Sequence, residues 1–182
     1  MVEIERQAVL ESTRNWVERF VIGLNLCPFA GKVATEGKVR YRVCAEDDVE
    51  EMYRQFLSEL SLLIDSEPDE LETTLVVYPN AAVEFEAFWD FAGLCEDGVA
   101  DAGLEGVVQV VAFHPGYRFE GEAPDAPSHF TNRSPHPMLH LLRESSVAKV
   151  VAAHPDIDAI PARNVALLEE MGVEGIRKAM EE

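Results

Sequence analysis

A chain of 182 residues is long enough to bury a core without disulfide support and short for two domains, so a single small domain spanning 1–182 is expected. Thirty-four acidic against 15 basic residues give a formal net charge of −19, which repels nucleic acid and anionic membrane surfaces and excludes both as expected partners. An apolar fraction of 47% argues against disorder, while Cys27, Cys44 and Cys95 are too far apart for a disulfide framework or structural zinc site and suit a reducing cytoplasm.

Along the chain, Glu3, Glu5 and Arg6 interrupt the N-terminal apolar residues, so neither a secretory leader nor a membrane span is expected and the location read from the sequence is cytoplasmic. Val9, Thr13, Trp16, Val17, Phe20, Val21 and Leu24 recur at three- and four-residue spacing, which predicts an amphipathic helix over residues 3 to 24. Gly31 and Gly37 bracket a predicted loop. Residues 38 to 44 alternate charged and apolar side chains as a half-exposed edge strand does.

Val49, Met52, Phe56, Leu60 and Leu63 lie on one helical stripe that stops at Ser66-Glu67-Pro68-Asp69. The β-branched run from Thr73 to Tyr78 predicts a strand. Phe85, Phe88, Trp89 and Ala92 mark the next helix, followed by a loop around Gly98, Gly103 and Gly106. Val107 to Phe113 is apolar except at Gln109, the pattern of a strand covered on both faces.

From Gly116 to Ser134 no period is visible, a length typical of lids and binding loops. Residues 136 to 153 then read as one or two helices, with a break at His154-Pro155-Asp156 and two short helices from about 162 to 171 and 173 to 181. This order predicts an α/β fold, a three-layer or two-layer sandwich with about three mainly parallel strands and C-terminal helices. A mixed sheet is the alternative.

The chemically versatile side chains concentrate between Phe113 and Glu144, which hold four of the five histidines with Tyr117, Asn132, Arg133 and Arg143. His114 follows the third predicted strand, where ligands collect in open parallel sheets, and suits acid–base work, metal binding or a structural role in the Pro115-Gly116 turn. Ser134-Pro135 has the form of a helix N-cap, where Arg133, Asn132 and Ser134 would hold an anionic small molecule or merely tie the loop down. His136, His140 and Glu144 would share one helix face, so a divalent metal held by His114, His140 and Glu144 is the one cofactor these residues suggest. Cys27 is a core residue or a nucleophile. Arg40 and Arg42 face one side of their strand, lining a ligand pocket or meeting solvent.

The strings Gly23-Leu24-Asn25-Leu26-Cys27-Pro28-Phe29-Ala30, Phe113-His114-Pro115 with Tyr117, Phe119 and Gly121, and Thr131-Asn132-Arg133-Ser134-Pro135 through Pro137-Met138-Leu139-His140-Leu141-Leu142-Arg143-Glu144 resemble a bacterial and plastid family known only as a domain of unknown function. The resemblance implies that Cys27, His114, Tyr117, Asn132, Arg133, Ser134, His140, Arg143 and Glu144 occupy motif positions. The family commonly carries tyrosine where this chain has His136 and asparagine where it has His129, which weakens a metal site at His136. An enzyme or small-ligand binder with a His/Arg site is therefore expected, with a non-catalytic adaptor whose His-Arg-Pro block acts as a latch as the alternative. Neither the reaction nor the oligomeric state is legible in these residues.

Overall fold

The computed structural model describes residues 3–81, 84–153 and 156–181. Helix α1 (Glu3–Asn15) runs into a π-helical segment (Trp16–Ile22), followed by the short helix α2 (Ala30–Thr35) where a loop was expected. Strand β1 (Val39–Val43), helix α3 (Val49–Asp65), strand β2 (Thr73–Val77), helix α4 (Phe85–Asp101) and strand β3 (Val108–Phe113) follow in the expected order. Strand β4 (Met138–Arg143), helix α5 (Glu144–Ala153) and helix α6 (Ile160–Glu181) complete the chain, with single 3-10 turns at 127–131 and 157–159. Within α6, Gly172 at φ 63° interrupts the helical geometry, as the sequence predicts. His154 and Pro155, at the other expected break, lie outside the described residues.

The four strands form one mixed sheet in the order β1-β2-β4-β3. β1 is an edge strand, parallel to β2, whereas β4 is antiparallel to both β2 and β3. The class is α/β as expected, but there are four strands rather than three and two of the three pairings are antiparallel.

The fourth strand lies where a helix was predicted. Met138, Leu139, Leu141 and Leu142 have helix-compatible spacing, yet they belong to a central strand packed on both faces, which removes the period-two signature. Leu139 and Leu141 enter one core with Val76, Val108, Val110 and the apolar faces of α3 and α4. Met138 enters the other with Leu75, Val77, Trp16, Phe20, Leu168 and Ile176. Helices therefore cover both faces, making three layers. Phe20, Phe56 and Phe88 are fully buried, each contributing about 1.5–3 kcal/mol of transfer free energy.

Local signals position the helices. Asp48 caps α3 by accepting from the Glu51 N–H at 3.1 Å, and its acidic first turn suits the positive helix end. Helix α4 continues through Gly98, where a loop was expected. A Cβ there would come within 2.3 Å of the Tyr53 hydroxyl, so glycine admits the close approach of α3 to α4.

Candidate functional site

On the face covered by α1 and α6, Leu75 and Thr73 of β2, His140 of β4 and Phe113 of β3 form the floor of a small cavity of about 70 Å³. Trp16, Val17 and Val21 of the π-helical segment, with Cys27, Phe29, Ala30 and Val33, close it from the other side. A larger groove of about 380 Å³ shares Cys27, Phe29, Phe113 and His140 with it and runs beneath α5 and the start of α6, past Val147, Val151, Ile157 and Ile160. The lining of both is overwhelmingly apolar.

Cys27 reaches this site because its loop is pinned from two sides. Asn25 adopts φ 53°, a left-handed conformation that asparagine tolerates. The Leu26 N–H donates to the Val21 carbonyl at 2.8 Å. From α6, Asn164 Nδ2 donates to the Leu26 carbonyl at 2.7 Å and Arg163 donates to that of Asn25. Cys27 is half-buried, whereas Cys44 and Cys95 are buried and burial pushes both of their thiol pKa values up.

The protonation of His140 follows from its neighbours. Thr73 Oγ1 lies 2.6 Å from the Leu141 carbonyl and 2.7 Å from His140 Nε2. A hydroxyl has one proton, and the carbonyl can only accept it, so Thr73 accepts from His140 Nε2–H. The neutral ring then carries its lone pair on Nδ1, which has no partner among the described residues. Burial pushes the His140 pKa down to about 4, keeping the ring neutral at physiological pH. Trp16, 2% exposed, presents a second unengaged polar atom: its indole Nε1–H is buried without a hydrogen-bond partner. The Phe113 ring lies against both, with centroids 5.3 Å from Trp16 and 6.4 Å from His140.

The residues expected to cooperate with His140 lie elsewhere. His114 does follow β3, but it turns to the opposite face, where Phe85 and Phe88 of α4 flank its ring and its Nδ1 accepts from the Gly116 N–H at 2.9 Å. Strand alternation sets this separation: Val111 pairs with His140 and Phe113 with Met138, so His114, one residue on, points away. Glu144 begins α5 and borders a third depression beside Glu96 and Glu105. His114, His140 and Glu144 therefore do not converge. Among the described residues no group of three or more His, Cys, Asp or Glu side chains is arranged to hold a metal.

Nor does a helix begin at Ser134, so the expected fan of N–H groups for an anion is absent. Ser134 Oγ donates to the His136 carbonyl at 2.6 Å as the chain turns into β4. Arg133 donates through Nε to the Tyr117 carbonyl at 2.9 Å and lies over the Phe130 ring, contacts that tie the long loop down. Asn132 accepts from the Thr131 hydroxyl through Oδ1 and from the His114 N–H through its carbonyl. Tyr117 packs among Phe85, Trp89 and Phe119, and burial raises its pKa.

Arg143 reaches over α3 to donate to the carbonyls of Leu63, Ser66 and Leu71. Arg40 pairs bidentately with the buried Glu59 at 2.6 and 3.0 Å. His136 Nε2 meets Ser12 Oγ at 2.9 Å on α1, away from His140. Trp16, Thr73 and Phe113 were legible only as core or strand positions. Their place in a cavity depends on the pairing of strands distant in sequence.

Fold and site together define a three-layer α/β protein with an apolar pocket on one sheet face, where Cys27, Thr73, His140 and Gln109 are the polar residues among an apolar lining. Its chain belongs to the family described as Protein of unknown function (DUF1415), which it matches over residues 8–178, and the resemblance noted in its motifs holds at the level of the family. No curated protein and no solved structure matches it.

Proposed function

We propose that the protein binds a small apolar molecule in the groove beneath α5, with the molecule's end in the cavity between Trp16, Cys27 and His140. One observation carries this reading: groove and cavity share Cys27, Phe29, Phe113 and His140, and both are lined almost wholly by apolar side chains. Pockets of several hundred cubic ångströms, mostly apolar with a few placed polar groups, are the usual form of small-molecule sites. The anionic ligand expected from the sequence finds less support, because Arg133, Arg143 and Arg40 are each engaged with carbonyls or a carboxylate outside this groove. Cys27 and His140 line the same pocket, which gives the site a thiol and an imidazole, the components of thiol chemistry.

Cys27 supplies the reporter. With Cys44 and Cys95 buried, iodoacetamide should alkylate Cys27 first, as read by mass spectrometry of the native protein. The neutral apolar fluorophore N-phenyl-1-naphthylamine should slow that reaction about tenfold when saturating and brighten on binding. Val147→Trp, which fills the groove from α5, should abolish both effects. An alkylation rate indifferent to the fluorophore would sink the reading. The apolar rim, where Val151 is 44% exposed, favours a second reading in which another protein's side chains occupy the groove. That reading predicts no response to any small probe.

A further inference from the structure

We propose that a second groove, lined by Phe85 and Trp89 of α4 and by Tyr117 and Phe119 of the loop after β3, binds a small organic cation bearing a quaternary ammonium group. The site shares no lining residue with the groove at Cys27, and the inference stands independently of the reading above. It starts from four neighbouring aromatic rings, two of them open to solvent.

Tyr117, 8% exposed, touches the other three, its ring centroid lying 5.1 Å from Phe85, 5.9 Å from Trp89 and 5.1 Å from Phe119. Trp89 and Phe119 stand at 73° and 71° to it and are 51% and 37% exposed, so a buried ring is bordered by two that reach solvent. The groove encloses about 490 Å³, the size of a small-molecule site. Its loop side is fixed from beneath. His129, fully buried, donates Nε2–H to the Ala123 carbonyl at 2.7 Å and accepts the Phe119 N–H through Nδ1 at 3.1 Å. The Tyr117 carbonyl accepts from Arg133 Nε at 2.9 Å. A loop already held in place loses little freedom when a ligand arrives.

Charge selects the ligand. Glu120 and Glu122 also line the groove, and neither has a cationic partner among the described residues. Arg118 lies there too, but it is ion-paired with Glu86 of α4. The body as a whole carries a net charge of −19, which draws cations from a distance and repels anions. Ring faces add a negative potential that attracts a cation within about 6 Å. A primary ammonium would need acceptors for its N–H groups, which ring carbons do not supply, and it holds its water tightly. A quaternary ammonium has no N–H and a diffuse charge, so it loses least on leaving water for aromatic walls.

Choline and 3,3-dimethylbutan-1-ol have the same shape and hydroxyl and differ in the charge; n-propylammonium keeps the charge and adds N–H groups. Each is titrated into nitrogen-15-labelled native protein at pH 7.5 and constant ionic strength. The readout is the Trp89 indole N–H resonance, assigned by its loss in Trp89→Phe, with that of buried Trp16 as internal control. Choline should shift it with a Kd about tenfold below that of either control. Phe119→Leu keeps the apolar bulk but removes the ring, and should weaken choline about fivefold while leaving the uncharged alcohol unchanged. Glu120→Gln combined with Glu122→Gln should weaken choline about threefold and flatten its salt dependence. The ranking on the native protein needs no variant to fold. Phosphatidylcholine vesicles, which carry the same group on a membrane, should leave the resonance sharp. Equal affinity for choline and either control overturns the quaternary-ammonium assignment. A Trp89 resonance unmoved by saturating choline overturns the site and leaves the aromatic patch to a protein partner. Broadening by vesicles without a response to free choline overturns the small-molecule assignment in favour of a lipid head group.

Discussion

At the residue scale, His140 couples the pocket to stability through its proton. Burial holds the ring at a pKa of about 4 against an ordinary value of 6.5, so the unfolded chain binds the proton more readily than the folded one. Stability from this group is fully present above pH 6.5 and is lost as pH falls toward 4. At pH 5 the loss amounts to about 2 kcal/mol, from 1.36 kcal/mol per pH unit over most of that window. His136, also pushed down by burial, adds a loss of the same sign. Replacing His140 by leucine should therefore make the fall in unfolding free energy between pH 7.5 and pH 5 smaller by about 2 kcal/mol, measured by urea denaturation. An unchanged fall would show that the imidazole titrates alike in both states. The identity of His140 as a chemically distinctive residue is visible in the sequence, but its partner is not: Thr73 is 67 positions away, and the register of β2 on β4, which sets Leu75 opposite His140, brings Thr73 diagonally across from it.

At the scale of elements, the π-helical segment carries Trp16, Val17 and Val21 into the pocket wall, and Gly23 ends it. The Gly23 N–H donates to the Glu18 carbonyl five residues back, which brings the Arg19 carbonyl to 2.1 Å from where a Cβ would stand. Backbone atoms cannot yield as a flexible side chain does. Gly23→Ala should thus cost about 2–3 kcal/mol in denaturant unfolding, despite alanine's better helix propensity. It should also change the rate of Cys27 alkylation, because the wall would have to rewind. Wild-type values for both would mean that glycine is not what permits the π turn. Helical periodicity from Val9 to Leu24 shows this element but not its winding, since a single wide turn hardly disturbs a three-to-four spacing. Strand β4 is the converse case. Its leucines satisfy a helical template as well as a buried strand, and pairing with β2 and β3 decides between them.

At the scale of the whole molecule, the surplus of 19 negative charges sets the response to salt. Like charges spread over one small body repel, and the folded state concentrates them. The ion pairs at Lys38 and Arg54 involve exposed groups and contribute little, whereas Arg40 and Glu59 are less accessible to screening. Raising sodium chloride from 10 to 200 mM shortens the Debye length from about 30 Å to under 10 Å. The thermal midpoint should rise by several degrees, a change of about 1 kcal/mol for a chain of this size. A fall in the midpoint on scanning calorimetry would mean that attractive pairs outweigh the general repulsion.

What the sequence determined by itself is local: the apolar stripes of α3 and α4, the turn that ends α3, the β-branched strand β2, the edge character of β1, and the break at Gly172. Each depends on neighbours within a turn or a pleat. The motif strings likewise placed the chain in its family. What the tertiary structure alone decided is which chemically capable residues share a space. Alternation on adjacent strands sends His114 and His140 to opposite faces of one sheet, and α6 draws the Cys27 loop over the face that His140 occupies. Hydrogen-bond register and helix docking act between residues tens to more than a hundred positions apart, a separation on which no local pattern reports.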